Sequence, residues 1–316
     1  MKKTQTAPPI TCTPRYLPRE QWIPAARTAI EINPMNAPQV HGMALINPGF
    51  VPAPEHLAVM TKKIWHTAGV HLTVGFLDDA PADLRSRILL HMNAWNKTAN
   101  VRFVETSTDP QVRITLTPGG GYWSYIGTDI LSIPADQPTM NLQSFSMDTP
   151  ESEFHRVVRH ETGHTLGFPH EHMRGELVAR IDRDKAIAYF GATQGWSPQE
   201  VQQQVLTPLE ESSLLGTPHA DANSIMCYQL PGTITKDGQP IIGGLDIDDD
   251  DYDFIATIYP QPGSAPAPLP VPTVSHPATE VTTRHYATVH SSNGSANGEK
   301  SHASRTIRVV LEISGL

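Results

Sequence analysis

The sequence predicts an α+β fold, and three observations carry that prediction. Four short segments alternate apolar and polar side chains at the period of two of a strand. One segment carries an apolar stripe at helical spacing, and a further helix bears two histidines four residues apart on one face.

In chain order, residues 1–62 are punctuated by Pro8, Pro9, Pro14, Pro18, Pro24, Pro34, Pro38, Pro48, Pro52 and Pro54 and lack apolar periodicity, so they read as an extension. The simpler reading is an arm packed on the domain; the other is a pro-segment lying over the active site, with Cys12 as a thiolate stopper on its metal. Regular structure begins at Lys63. Residues 71–77 alternate as a strand; Pro81 opens a helix with Leu84, Ile88, Leu89, Met92 and Trp95 turned to the core. Residues 101–104, 112–116 and 139–142 are further strands, which with that helix make a twisted sheet with a helix against it. Residues 119–127 place glycines around a short aromatic strand. Two readings stay open there: a sheet edge that pairs with an extended peptide, or aromatic rings covering the sheet.

Thr149 or Asp148 is expected to cap the next helix, with Pro150, Glu151 and Glu153 in its first turn and Phe154, Val157 and Val158 facing the core. That helix carries the stretch around which the chain is organised, His160-Glu161-Thr162-Gly163-His164-Thr165-Leu166-Gly167-Phe168-Pro169-His170. His160 and His164 stand one above the other and can grip one metal ion from one side. Gly167 can take the left-handed conformation that stops a helix, and Pro169 prevents its resumption before His170 returns as a third ligand. Five fixed positions in a chain with 15 histidines and 22 glycines among 316 residues arise by chance on the order of once in 10⁴ such chains, so the pattern is a metal site. Three imidazoles and one open position make a catalytic zinc centre, with Glu161 beside it.

After His170, Glu171 reads as an anchor near the metal or, more simply, as a solvated charge, and a polar helix runs through residues 181–186. His155 lies off the ligand face, and His219 sits in a Pro- and Gly-flanked loop exposed to solvent. Ser224-Ile225-Met226-Cys227-Tyr228 reads as a tight turn: Met226 gives the histidines an apolar floor and Tyr228 brings a phenol near the metal. The acidic run Asp246, Asp248, Asp249, Asp250, Asp251 and Asp253 precedes a final helix packed through Phe254, Ile255 and Ile258; acid at a helix start explains it, with Ca²⁺ as the sharper alternative. Residues 261–316 read as a Pro-rich linker and tail, with one further strand at residues 308–313.

A formal charge of −9 argues against nucleic-acid binding and gives no support for anionic membranes; no apolar run is long enough to span a bilayer. A monomer acting on proteins or peptides is expected. Met1-Lys2-Lys3 is similar to the start of a signal peptide, but Thr4, Gln5, Thr6, Pro8 and Pro9 stand where its apolar core belongs, so none is read. With two cysteines, Cys12 and Cys227, the fold does not rest on a disulfide framework, although one bridge between them is allowed.

The stretches HETGHTLGFPHEHMR (160–174) and SIMCY (224–228), with WSYIG (123–127) and IDRD (181–184), resemble the metzincin zinc endopeptidases, most closely the astacin family, over about residues 65–260. The resemblance implies a metzincin-like catalytic domain at 63–260: a twisted, mostly parallel sheet with two helices above the cleft, and a less regular lower subdomain ending in a helix. It implies His160, His164 and His170 as ligands of one Zn²⁺, Glu161 as the catalytic glutamate, Met226 as the Met-turn methionine and Tyr228 as a residue that joins or leaves the metal shell. It also implies secretion, which the missing signal peptide opposes, so localisation stays open. The two disulfides usual in astacins are absent, Tyr122 stands where a cysteine often precedes the Trp-Ser stretch, and the usual aspartate-bearing pro-segment motif is not evident. The expected function is hydrolysis of peptide bonds through a zinc-bound water activated by Glu161, with Tyr228 donating to the oxyanion. The alternatives are a catalytically silent, zinc-containing peptide-binding protein and a structural zinc domain; for the latter a fourth ligand is needed, and Cys227 and His172 are poorly placed to supply it.

Overall fold

Buried and exposed side chains alternate at the start of Val70–Phe76 (β1), and this strand forms the middle of a sheet. The computed structural model describes residues 12, 13, 15–38, 54–208 and 220–263. The chain divides into two units, Met1–Pro270 and Val271–Leu316, and all the described residues belong to the first. His219, the tail strand and all of the linker beyond residue 263 lie outside them.

Five strands lie in the order β2-β1-β3-β5-β4, with β2 at Val101–Glu105, β3 at Val112–Thr115, β4 at Tyr122–Ser124 and β5 at Met140–Leu142. All neighbours are parallel except β4 and β5, which pair antiparallel with Tyr122 opposite Leu142, so the aromatic strand forms an edge. β3 is buried at every position although its sequence alternates, and buried Arg113 donates to the Gln137 and Ile133 carbonyls.

Helix α1 (Trp22–Ile32) belongs to the N-terminal extension, and α2 (Pro54–Met60) leads into the sheet. Helix α3 (Ala82–Met92) packs Leu84, Ile88 and Met92 into a core shared with Val74, Ile114, Met140 and Phe154. Trp95 joins that core from the 3₁₀ turn Asn93–Lys97 and donates its Nε1–H to the Arg159 carbonyl at 3.0 Å. The second core helix, α4, spans 151–165 and includes one wide π turn at Phe154–Val158. Its N-cap is Pro150, with no side-chain cap. Of the two expected caps, Thr149 is engaged in the preceding turn, where its Oγ1 accepts from Ser146 N, and Asp148 takes part there only through its backbone N–H, which donates to Ser146 Oγ.

The lower half contains α5 (Gly175–Val178), α6 (Arg183–Gln194), α7 (Pro198–Val201, continuing as a π turn through Leu206) and the closing α8 (Asp249–Ile258). A second core of Leu177, Ile181, Phe190, Val205, Leu230 and Ile241 holds α5, α6 and α7 together, whereas α8 packs Tyr252, Ile255 and Ile258 into the first core. Asp248 and Asp251 form a capping box at the start of α8, which accounts for part of the acidic run. Cys12 and Cys227 are both free and buried, so no bridge joins them. No helix among the described residues is long and apolar enough to cross a membrane.

Candidate metal centre

Helix α4 stops where the sequence says it should. Gly167, at φ 103°, donates its N–H to the His164 carbonyl, and Phe168 donates to the Gly163 carbonyl. These two bonds form a Schellman motif, with glycine in the left-handed position. The chain then turns back and brings His170 to the face that carries His160 and His164.

The three imidazoles converge. His170 Nε2 lies 3.1 Å from His160 Nε2 and 3.0 Å from His164 Nε2. His160 Nδ1 donates to the Ile225 carbonyl at 2.6 Å and His164 Nδ1 to the Phe168 carbonyl at 2.7 Å. A neutral ring with a proton on Nδ1 presents a lone pair at Nε2, so at least two lone pairs point into one space. A tetrahedral zinc with Zn–N of about 2.0–2.1 Å would set its nitrogens about 3.3 Å apart, close to the observed spacing. Burial drives all three histidines toward the neutral, ligating form, His164 to about 4. The donor set therefore fits zinc.

Glu161 is 1% exposed on the same helix, and burial pushes its carboxyl up to about 8. Met226 lies directly under α4: a Cβ on Gly163 would come within 2.4 Å of its sulfur. Tyr228 is buried, its ring 4.2 Å from that of His170 and stacked on His172 at 4.0 Å. The predicted residues Glu161, Met226 and Tyr228 thus gather around the three histidines. His172 is no ligand: its Nε2 donates to the Gln204 carbonyl. Cys227 sits in the lower core, its Sγ 3.7 Å from the Tyr228 carbonyl. His155 points away and pairs through Nδ1 with Asp246 at 2.7 Å.

The fourth group at the centre comes from the extension. Cys12 Sγ lies 3.4 Å from His164 Nε2 and 3.5 Å from Glu161 Oε2, and its ligand atom clusters with those of the three histidines. Tyr228 donates its hydroxyl to the Cys12 carbonyl, and Thr13 N donates to the Tyr122 carbonyl at 2.9 Å. Residues 12 and 15 form parallel bridges with Tyr122 and Tyr125, so the arm lies along the free side of β4.

The reach of Asp251 escapes the sequence, and of the two readings of Glu171 the anchor holds. Asp251 accepts from Ser224 Oγ at 2.7 Å and from Ile225 N at 2.9 Å, so α8 fixes the turn whose carbonyl orients His160. The D-x-x-D cap pattern marks Asp251 as structured but gives no sign of this reach. Glu171 is not a solvated charge: it accepts from Asp221 N at 3.1 Å and from Arg174 at 3.3 Å, while its own N–H donates to the Met226 carbonyl. Asp221, Asp248 and Asp251 also lie within ligand reach of one another, as do His91, Glu151 and His155. In the latter group Arg87 already holds Glu151, and Arg159 faces both rings.

The sequence profile of Astacin, a peptidase family, matches residues 58–244. Zinc metalloproteinase nas-27 of Caenorhabditis elegans is 34% identical over 108 residues, which is 34% of this chain and 22% of that protein. Zinc metalloproteinase nas-38 of the same organism is 28% identical over 126 residues, 40% of this chain and 15% of that one. The match thus spans less than a quarter of either relative's length. The solved structure of myroilysin is 32% identical and superposes with a TM-score of 0.60, covering 63% of this chain and 96% of its own.

Proposed function

The chain belongs to the astacin family of peptidases, and from that premise we propose that it is a zinc-dependent endopeptidase acting on extended stretches of protein substrates. The observation that carries the proposal is the convergence of three histidine Nε2 atoms beside a buried glutamate.

His160, His164 and His170 would hold the zinc, which when bound polarises the scissile carbonyl and lowers the pKa of water from about 15.7 toward 7. Glu161 accepts the proton of the attacking water and delivers it to the departing amine. Tyr228 donates its hydroxyl to the oxygen that gains charge, a role worth about 3–4 kcal/mol for one placed donor. The substrate backbone pairs with the free side of β4, the surface along which the arm lies. Met226 and the carbonyls of Ile225 and Phe168 hold the ligands in place.

The test is cleavage of casein by the zinc-loaded chain, intact and after limited trypsin treatment, with and without a chelator. Glu161→Gln should retain zinc and lose turnover; undiminished cleavage by that variant would sink the mechanism. A second reading, a zinc site closed for structural purposes, is favoured by one observation, the presence of a fourth ligand-type atom in Cys12.

A further inference from the structure

Cys12 is the one chemically active side chain at the centre that the proposed reaction does not use. Resting on the endopeptidase reading, we propose that the N-terminal arm holds this chain latent: Cys12 Sγ is the fourth protein ligand of the zinc, and the arm's backbone fills the substrate groove.

Three separate contacts define the block. The thiol sits 3.4 Å from His164 Nε2, where a tetrahedral zinc with Zn–S of about 2.3 Å and Zn–N of about 2.0 Å would place sulfur about 3.5 Å from a ligating nitrogen. The Cys12 carbonyl takes the hydroxyl of Tyr228, the donor that catalysis needs for the oxyanion. Thr13 N and the bridges at residues 12 and 15 occupy the edge of β4 that a peptide would join. Water is thereby excluded from the fourth position, the oxyanion donor is engaged, and the backbone-pairing edge is filled.

The arm is built to stay there. The Arg15 guanidinium lies over the Trp123 ring at 4.7 Å. Leu17 and Ala25 pack with Ile133, and Trp22 donates to the Leu17 carbonyl at 2.8 Å. Farther along, the Asn36 side chain bonds Ala29 O, Ile64 O and Ile64 N, tying the extension to the start of the domain. Cys12 also lies outside the family-matched residues 58–244, on the extension. A structural zinc site has no need of a buried glutamate facing its fourth ligand or of a tyrosine hydroxyl bonded to that ligand's carbonyl. On ligation the thiol gives its proton to solvent and binds as thiolate; on release the thiolate recovers a proton and water takes the vacated position.

The experiment uses the full chain loaded with Co²⁺ for spectroscopy and with Zn²⁺ for cleavage. The Co²⁺ chain and its Cys227→Ser variant should show a near-ultraviolet thiolate-to-metal charge-transfer band, and Cys12→Ala should lose it while keeping a full equivalent of metal. Zinc-loaded Cys12→Ala should cleave casein at least about tenfold faster than the intact chain, the gain expected when a mostly blocked population becomes competent. Thr13→Pro removes the N–H that bonds the Tyr122 carbonyl but keeps the thiol, and should raise cleavage in the same direction if Cys12→Ala folds poorly. Persistence of the band in Cys12→Ala overturns the ligand assignment. Loss of the band together with loss of zinc and no gain in cleavage overturns latency in favour of a structural site. Cleavage by the trypsin-treated chain but not by Cys12→Ala or Thr13→Pro refutes the latency proposal and leaves the endopeptidase standing; no cleavage by any form refutes the endopeptidase itself, whatever the spectrum shows.

Discussion

Asp251→Ala should separate the architecture of the turn beneath the metal from the metal itself. The carboxylate accepts from Ser224 Oγ, Ile225 N and Asp248 N, and Ser224 and Ile225 are 5% and 1% exposed. Removing it strands two buried donors at about 1–3 kcal/mol each, so the direct loss is about 2–6 kcal/mol. Against this stands the cost of burying the carboxylate, since burial raises its pKa to about 7 from an ordinary value of 3.8. The raised value means the folded chain holds a proton that the unfolded chain releases, so the wild type loses stability as pH climbs from about 4 to about 7. That cost is about 2 kcal/mol near pH 5 and about 4 kcal/mol near pH 8, and the variant is free of it at both. Asp251→Ala should therefore be more destabilising near pH 5 than near pH 8, by about 2–3 kcal/mol. Urea unfolding of both proteins at the two pH values, with metal removed, reads this directly. Zinc affinity near neutral pH should also fall about tenfold or more, because Ile225 O orients His160. A pH-independent difference with unchanged zinc affinity would refute the reasoning.

Tyr259→Phe removes a fully buried hydroxyl that donates to Leu166 O at 2.6 Å and accepts from Trp65 N at 3.0 Å, and should cost about 2–5 kcal/mol in urea unfolding. A loss below about 1 kcal/mol would mean those two backbone groups find other partners. Gly127→Ala and Gly195→Ala both place a side chain at positive φ, but they should part widely. A Cβ at 127 would lie 1.8 Å from Lys63 O, whereas one at 195 meets nothing within 4 Å. Gly195→Ala should cost about 1–2 kcal/mol and Gly127→Ala more than about 4, or fail to yield soluble protein. Comparable melting temperatures for the two variants would contradict the close packing at 127.

What can be read from the sequence is local. The spacing of His160 and His164, the stop at Gly167 and the return at His170 are set within eleven residues, and β1 follows from alternation. The cap of α4 differs from expectation because the Thr149 hydroxyl serves the turn that begins at Ser146 instead, a local competition between two adjacent turns. Asp251 and Cys12 are harder. Asp251 lies 26 residues from the backbone it fixes, and Cys12 lies 149 and 152 residues from its partners. A carboxylate in an acidic run and a cysteine in a Pro-rich extension have the same local signature whether or not they fold back, so the sequence leaves two readings of the extension side by side.

The helix stop at Gly167 has a second consequence. By ending α4 there, the chain presents the Phe168 carbonyl to His164 Nδ1, so the glycine that frees His170 to return also sets the tautomer of the preceding ligand. His160 gets its orientation from the Met-turn at Ile225 O, across the cleft. His170 has neither aid: its Nδ1 is buried without a hydrogen-bond partner, and the Tyr228 ring backs it at 4.2 Å. Two of the three histidines are thus oriented by backbone carbonyls and the third by the Tyr228 ring, the group to which the proposed mechanism gives the oxyanion. In the arm-bound form Tyr228 is pinned by the Cys12 carbonyl, so the ring stays against His170 while the thiol is in place.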